Sequence, residues 1–228
     1  IDEAIGQIEQ HAHLVQGGSG ERRIIAVGGD HTIALPMLRS VVQHHGPVAL
    51  VHFDAHLDTW DTYFNAPITH GTVLRRAFEE GLLAEDHSMH LGIRGPIYDR
   101  IDLKEDADFG FKTLRTRDVA RVGVEAAAEQ VLQRVDDTPV YLSIDIDVLD
   151  PAFAPGTGTP EVGGLQSREL LALLRSLNGL NIVGADVVEV APAYDHAEIT
   201  AVAAATVVYD LITLMANHEI GQGVASPN

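Results

Sequence analysis

Five apolar runs of strand length, separated by segments with helical periodicity, predict a three-layer α/β/α sandwich with a mostly parallel sheet. The runs lie at residues 23–27, 48–53, 88–93, 139–146 and 181–188. They are nearly continuous rather than alternating, as in strands covered on both faces. Strand followed by helix followed by strand builds βαβ units with right-handed crossovers. Asp and His also collect where the runs end, and open α/β sheets place their ligands beyond the carboxyl ends of the strands.

The intervening helices follow from their apolar spacing. Residues 32–44 carry Ile33, Leu35, Met37, Leu38, Val41 and Val42, and residues 72–82 carry Val73, Leu74, Ala77, Phe78 and Leu82, stopping near Gly81. Residues 123–135 present Val124, Ala127, Ala128, Val131, Leu132 and Val135. Ser167 is placed to cap a helix over 167–177, because its hydroxyl can accept from a free backbone N–H. A last helix over 197–217 is apolar on most sides, which predicts burial against a neighbour. Two long loops remain, 58–71 and the Pro- and Gly-rich 149–166; structured loops of this length tend to serve a site. One catalytic domain is expected over 1–228.

Bulk composition narrows the function. The net charge of −18, from 33 acidic against 15 basic residues, argues against nucleic acid, which requires a basic face. The negative field favours cationic ligands. No run approaches the 18 apolar residues of a membrane span, and Ile1-Asp-Glu-Ala lacks the basic and then apolar pattern of a signal peptide. The absence of cysteine excludes thiolate ligands and fits a reducing cytoplasm, the expected location.

The chemistry concentrates in Val51-His-Phe-Asp-Ala-His-Leu-Asp58, where Asp54, His56 and Asp58 stand at i, i+2 and i+4. Alternate residues of an extended chain share a face, so two carboxylates and an imidazole point together. Ser143-Ile-Asp-Ile-Asp147 repeats the arrangement with Asp145 and Asp147, and Gly28-Gly-Asp-His31 supplies His31. An isolated Asp-x-Asp at a strand end is more often a turn or cap, and Asp30 is read as one. Three such ends together predict a two-metal site with His31, Asp54, His56, Asp58, Asp145 and Asp147 as ligands. Oxygen and imidazole donors without sulfur suit Mn²⁺, and four aspartates balance two divalent ions. Water held by such ions becomes a nucleophile near neutral pH.

With these motifs in view, the chain resembles the ureohydrolase family (arginase, agmatinase and related amidinohydrolases). The resemblance rests on Gly28-Gly-Asp-His-Thr32, Phe53-Asp-Ala-His-Leu-Asp58, His70-Gly-Thr72, Ser143-Ile-Asp-Ile-Asp-Val-Leu-Asp-Pro151, Gly156-Thr-Gly-Thr-Pro160 and Asp186-Val-Val-Glu-Val-Ala-Pro192. It implies an arginase-like fold, two Mn²⁺ per chain, hydrolysis of a guanidinium to urea and an amine, and assembly as a homotrimer or homohexamer. By the same resemblance His31 and His56 are the terminal ligands of the two ions. Asp54 and Asp145 are the bridging carboxylates, and Asp58 and Asp147 complete the two sites. His70 is the proton shuttle, Glu189 receives the guanidinium, and Thr159 lines the site near it.

Arginases use an asparagine just after the aspartate-rich motif to hold the amino-acid end of their substrate. Here the stretch reads Asp58-Thr-Trp-Asp-Thr-Tyr-Phe64, which looks like the agmatinase branch. Trp60 and Tyr63 can pack on an alkyl chain and Asp61 can face a terminal amine, so agmatine is the expected substrate. Guanidinobutyrate, guanidinopropionate or a proclavaminate-type guanidine stand as alternatives, and a single-zinc, deacetylase-like amide hydrolase as a more distant one. Two departures from the family pattern are Val73-Leu74, where relatives carry Pro-Phe, and the expected lack of the family's N-terminal segment.

Overall fold

The computed structural model describes residues 1–17 and 22–224. Its centre is a six-stranded sheet formed by β1 (Ile24–Val27), β2 (Ala49–Phe53), β3 (Met89–Leu91), β4 (Lys112–Leu114), β5 (Val140–Asp145) and β6 (Ile182–Val188). The spatial order is β1-β6-β5-β2-β3-β4. Every pairing is parallel.

Successive residues of a strand face opposite sides, and both sides here are apolar. Ala49, Val51 and Phe53 of β2, with Leu142 and Ile144 of β5, enter one core together with α6 (Val124–Val135), α7 (Ser167–Ser176) and α8 (Ile199–Val224). Leu50 and Tyr141 enter the other, under α1 (Asp2–Gln16), α2 (Ala34–His45) and α3 (Val73–Glu79). The predicted sandwich and its five main strands are therefore present, and the sheet is wholly parallel among the described residues.

Several boundaries differ from the periodicity. The helix expected from 32 begins at Ala34, because His31–Ile33 form a 3-10 turn capped by the Asp30 carboxylate, which accepts from Thr32 N at 2.9 Å. The helix expected over 72–82 runs only from Val73 to Glu79, after a 3-10 turn at His70–Thr72. Gln166, not Ser167, is the cap of α7: its side chain and that of Glu169 close a reciprocal capping box. Val73 and Leu74 are fully buried, and Leu74 N donates to Asp58 O at 3.1 Å, so the departure from Pro-Phe leaves the turn continuous.

Four elements are additional to those expected: α1, β4, α4 (Arg100–Asp108) and α5 (Thr116–Val122). The last helix is only half as predicted. Ala204, Val207, Leu211, Leu214 and Met215 of α8 are buried in the core, whereas Val202, Tyr209 and Ile212 lie exposed on its outer side. Ile199–His218 is long and apolar enough to cross a bilayer by length and composition, but its inner side is that of a core helix.

Candidate metal centre and substrate pocket

The expected ligands converge at the carboxyl ends of β1, β2 and β5. Positive φ at Gly28 and Gly29 (84° and 87°) turns the chain sharply after β1 and delivers His31 to the site. His31 Nδ1 lies 3.3 Å from Asp54 Oδ2, 3.0 Å from Asp58 Oδ2 and 3.4 Å from Asp145 Oδ2. His56 Nδ1 lies 3.3 Å from Asp54 Oδ1 and 3.0 Å from Asp147 Oδ2. Asp54 thus presents one oxygen to each half, the disposition a bridging carboxylate needs. Gly95 leaves the space for His56: a Cβ there would stand 2.5 Å from the imidazole Cδ2.

Neighbouring groups hold these ligands in place. His56 N donates to Asp54 Oδ1 (2.5 Å), Ala55 N to Asp147 Oδ1 (3.0 Å) and Asp147 N to Asp145 Oδ1 (2.8 Å). Ser143 Oγ donates to Asp186 Oδ1 at 2.8 Å and sits 2.8 Å from His31 Nε2. Asp186, also bonded by Tyr141 Oη at 2.7 Å, takes the Ser143 proton, so the serine oxygen accepts from His31 Nε2–H. His31 Nδ1 is therefore the edge left for the carboxylates.

That edge tests the fit of a cation. His31 Nδ1 and Asp54 Oδ2 are buried without a hydrogen-bond partner of normal geometry, a costly state unless a positive charge joins them. Burial pushes the pKa of Asp145 well above the carboxylate range, reinforced by Asp147 and Asp54. Burial and Asp54 likewise raise Asp147, to about 6. Burial opposes protonation of His56, yet Asp147 and Asp54 override it and push this imidazole up to about 12. His31 is held well above its ordinary value in the same way, by Asp145, Asp54 and Asp58 against burial. Protons thus occupy positions where a cluster of carboxylates and imidazoles would accept divalent ions. The oxygen-and-imidazole donor set fits Mn²⁺, and His31, His52, Asp54 and Asp58 on one side and Asp54, His56 and Asp147 on the other are close enough to hold ions.

Beside this cluster opens a cavity of about 250 Å³, lined by His56, Asp58 and Asp145 at its base and by Glu189, His70 and Thr159 around it. Asp58 and Glu189 both adopt positive φ, 55° and 66°, strained backbone of the kind that gathers at functional sites. Glu189 is pinned to the loop after β1: its N donates to Gly29 O at 3.0 Å and its Oε1 accepts from His31 N at 2.6 Å. Burial raises its pKa, against the pull of the His31 amide and of the His31 and His70 rings. His70 Nδ1 stands 3.8 Å from Glu189 Oε1. Thr159 lines the cavity, but its hydroxyl donates to Asp147 Oδ2 at 3.2 Å.

Trp60, Tyr63, Ile97 and Tyr98 form the aromatic and apolar wall. Trp60 packs on Tyr63 and on Tyr98, with ring centroids 5.3 and 4.7 Å apart. Asp61 does not share that wall. Its carboxylate turns to α3, 2.8 Å from Arg76 Nη2 and 3.5 Å from Arg75 Nε, because two nearby guanidinium groups outcompete an open cavity. The expectation that it faces a substrate amine is corrected. Sequence reasoning also passed over His52, whose signal was available: it precedes Asp54 by two residues on the same strand face. Tyr98 and Glu161, which also line the cavity, come from irregular loops where no periodicity announces a facing side chain.

Known proteins resemble the chain in sequence and in fold. Residues 1–213 match the arginase family. The agmatinase of Citrobacter koseri is 48% identical over 205 residues, covering 90% of this chain and 64% of that protein. A hypothetical agmatinase from Burkholderia thailandensis has a crystal structure that superposes with a TM-score of 0.83 at 44% identity, covering 92% of this chain and 64% of the other. Proclavaminate amidino hydrolase from Streptomyces clavuligerus superposes with a TM-score of 0.88 at 38% identity, covering 96% and 71%. The chain spans 50% to 64% of the length of the curated agmatinase relatives. Matched across nearly its whole length, and folded like these proteins, the chain belongs to the arginase family.

Proposed function

We propose that this protein is a binuclear manganese ureohydrolase that cleaves agmatine to putrescine and urea. The observation that carries the reading is the convergence of His31, Asp54, Asp58, Asp145, His56 and Asp147 around one shared carboxylate at the floor of a cavity that also holds Glu189. Two bound divalent ions supply a water that is nucleophilic at neutral pH. The remaining work falls to the chain's own residues.

A guanidinium spreads its charge over three nitrogens and is a poor electrophile, so it must be oriented. Glu189, half-desolvated and fixed by the His31 amide, offers a carboxylate to two of its N–H groups. Asp58, in contact with the ligand set and open to the cavity, accepts the proton of the attacking water and delivers it to the departing nitrogen. His70, partly exposed beside Glu189, exchanges protons with solvent. The products are an amine and urea, and the balance is one water consumed.

The tail of the substrate is read from the lining. Beyond the proposed metal ligands and Glu189, its acidic side chain is Glu161, and no Lys or Arg lines it. A cationic tail is favoured there over the carboxylate of 4-guanidinobutyrate, and Trp60, Tyr63 and Tyr98 pack on the methylenes between. The exposed apolar side of α8 supports assembly as a homotrimer or homohexamer.

Urea release in the presence of Mn²⁺ tests the proposal across agmatine, 4-guanidinobutyrate, 3-guanidinopropionate and arginine. The highest kcat/KM is expected for agmatine. Release of urea from none of them would overturn the reading, and a preference for a guanidino acid would overturn the choice of substrate.

A further inference from the structure

Beneath the ligand set runs a chain of buried polar side chains that the proposed reaction does not use. His52 Nε2 lies 2.9 Å from Asp54 Oδ2, His52 Nδ1 2.7 Å from His90 Nδ1, and His90 Nε2 3.0 Å from Asp106 Oδ1. His52, His90 and Asp54 are fully buried and Asp106 is 1% exposed. Such groups are expensive to bury unless they are partnered, and a simple structural role would be served at lower cost by apolar side chains.

Asp106 makes the chain directional. It only accepts, and it takes Thr59 Oγ1 at 3.1 Å, Thr113 Oγ1 at 3.4 Å and His90 Nε2–H. His90 is then left with its Nδ1 lone pair toward His52 Nδ1–H. Its ring is clamped against Phe111, with centroids 4.1 Å apart and an interplanar angle of 26°. His52 is thereby held with its Nε2 edge 2.9 Å from Asp54 Oδ2, a close contact in which neither atom has a hydrogen-bond partner of normal geometry.

The anchor has a second attachment. Asp106 lies one turn beyond Asp102 on α4, and Asp102 Oδ2 accepts from Trp60 Nε1 at 3.1 Å and from Tyr98 N at 2.9 Å. One helix therefore holds both the aromatic wall of the cavity and the far end of the chain that reaches Asp54.

We propose that His52, His90 and Asp106 are positioning residues of the metal centre, a buried relay anchored on α4 that fixes the orientation of Asp54. The proposal rests on the reading of Asp54 as a shared metal ligand. Partners behind a ligand orient it, and their loss weakens metal binding by about tenfold to a hundredfold.

The chain's only tryptophan, Trp60, stands on the cavity wall, so Mn²⁺ binding can be followed by its emission, with stoichiometry from the electron paramagnetic resonance of free Mn²⁺. His90→Leu removes both links of the relay and is expected to weaken Mn²⁺ binding at least about tenfold. His90→Gln, which keeps an N–H for Asp106 and an oxygen for His52, is expected to restore most of it. Wild-type affinity in His90→Leu overturns the relay, and so does equal loss in both variants. Should His90→Leu fail to fold by circular dichroism, His52→Asn carries the same test, because it withdraws the ring from Asp54 and leaves His90 and Asp106 paired; unchanged affinity there overturns the proposal. Wild-type protein that takes up no Mn²⁺ overturns the metal reading itself, and the relay with it.

Discussion

In the proposed reaction Asp145 would help hold cations and Glu189 the substrate, and single substitutions separate the two. Asp145→Ala deletes a carboxylate that faces both His31 and the cavity. Mn²⁺ content measured after dialysis should fall below two per chain, and urea release should vanish. Glu189→Gln should leave Mn²⁺ content unchanged while raising KM for agmatine by about two orders of magnitude, as for a lost charge-assisted pair worth about 3 kcal/mol. Steady-state kinetics beside metal analysis separates these outcomes.

The titration of the ligands has a sign that can be worked out. Asp147 is raised to about 6 by burial and by Asp54, above an unfolded value of about 3.9. In the cation-free protein this group stabilises the fold only while protonated, and that contribution is lost as pH rises from about 4 through about 6. His56, raised to about 12, contributes stability fully present below its unfolded value of about 6.5 and lost progressively as pH rises from there through about 12. A cation must displace both protons, so Mn²⁺ affinity should rise with pH. Melting curves with and without Mn²⁺ should therefore show a stabilisation that grows between about pH 5 and pH 7. A constant shift would mean that no ligand proton is released.

At the scale of elements, the parallel strands were legible because burial on both faces leaves continuous apolar runs, such as Val140–Asp145 in β5. Asp54, His56 and Asp58 were legible for a related reason, since the two-residue period aims them together. The unread elements lack those signals. β4 is three residues at the edge, with Lys112 exposed. Helix α4 reads Arg-Ile-Asp-Leu-Lys-Glu-Asp-Ala-Asp and buries only Asp106, so its place is set by polar caps and by the relay rather than by an apolar stripe. Contacts made across the fold, such as Asp61 to Arg76, leave no trace in local spacing. Gly95 shows how closely the loop after β3 is fitted to the site: Gly95→Ala should displace His56 and weaken Mn²⁺ binding while leaving the far-UV circular dichroism unchanged. Normal metal affinity in that variant would show that the loop yields easily.

At the scale of the whole molecule, sheet topology and net charge work in one direction. The candidate ligands and Glu189 stand at the carboxyl ends of four adjacent strands, β1, β6, β5 and β2, so one end of the sheet gathers them. A net charge of −18 surrounds a cavity lined by no Lys or Arg, a field that would favour the divalent cations and the cationic substrate proposed above. The two-ion centre is the claim to which the chemistry, the pH behaviour and the relay all return. Elemental analysis of active protein, combined with anomalous diffraction at the manganese edge, tests it most directly. Two manganese ions per chain are expected, one on each side of Asp54; a fully active protein with a single ion, or with zinc alone, would rule out the two-ion centre.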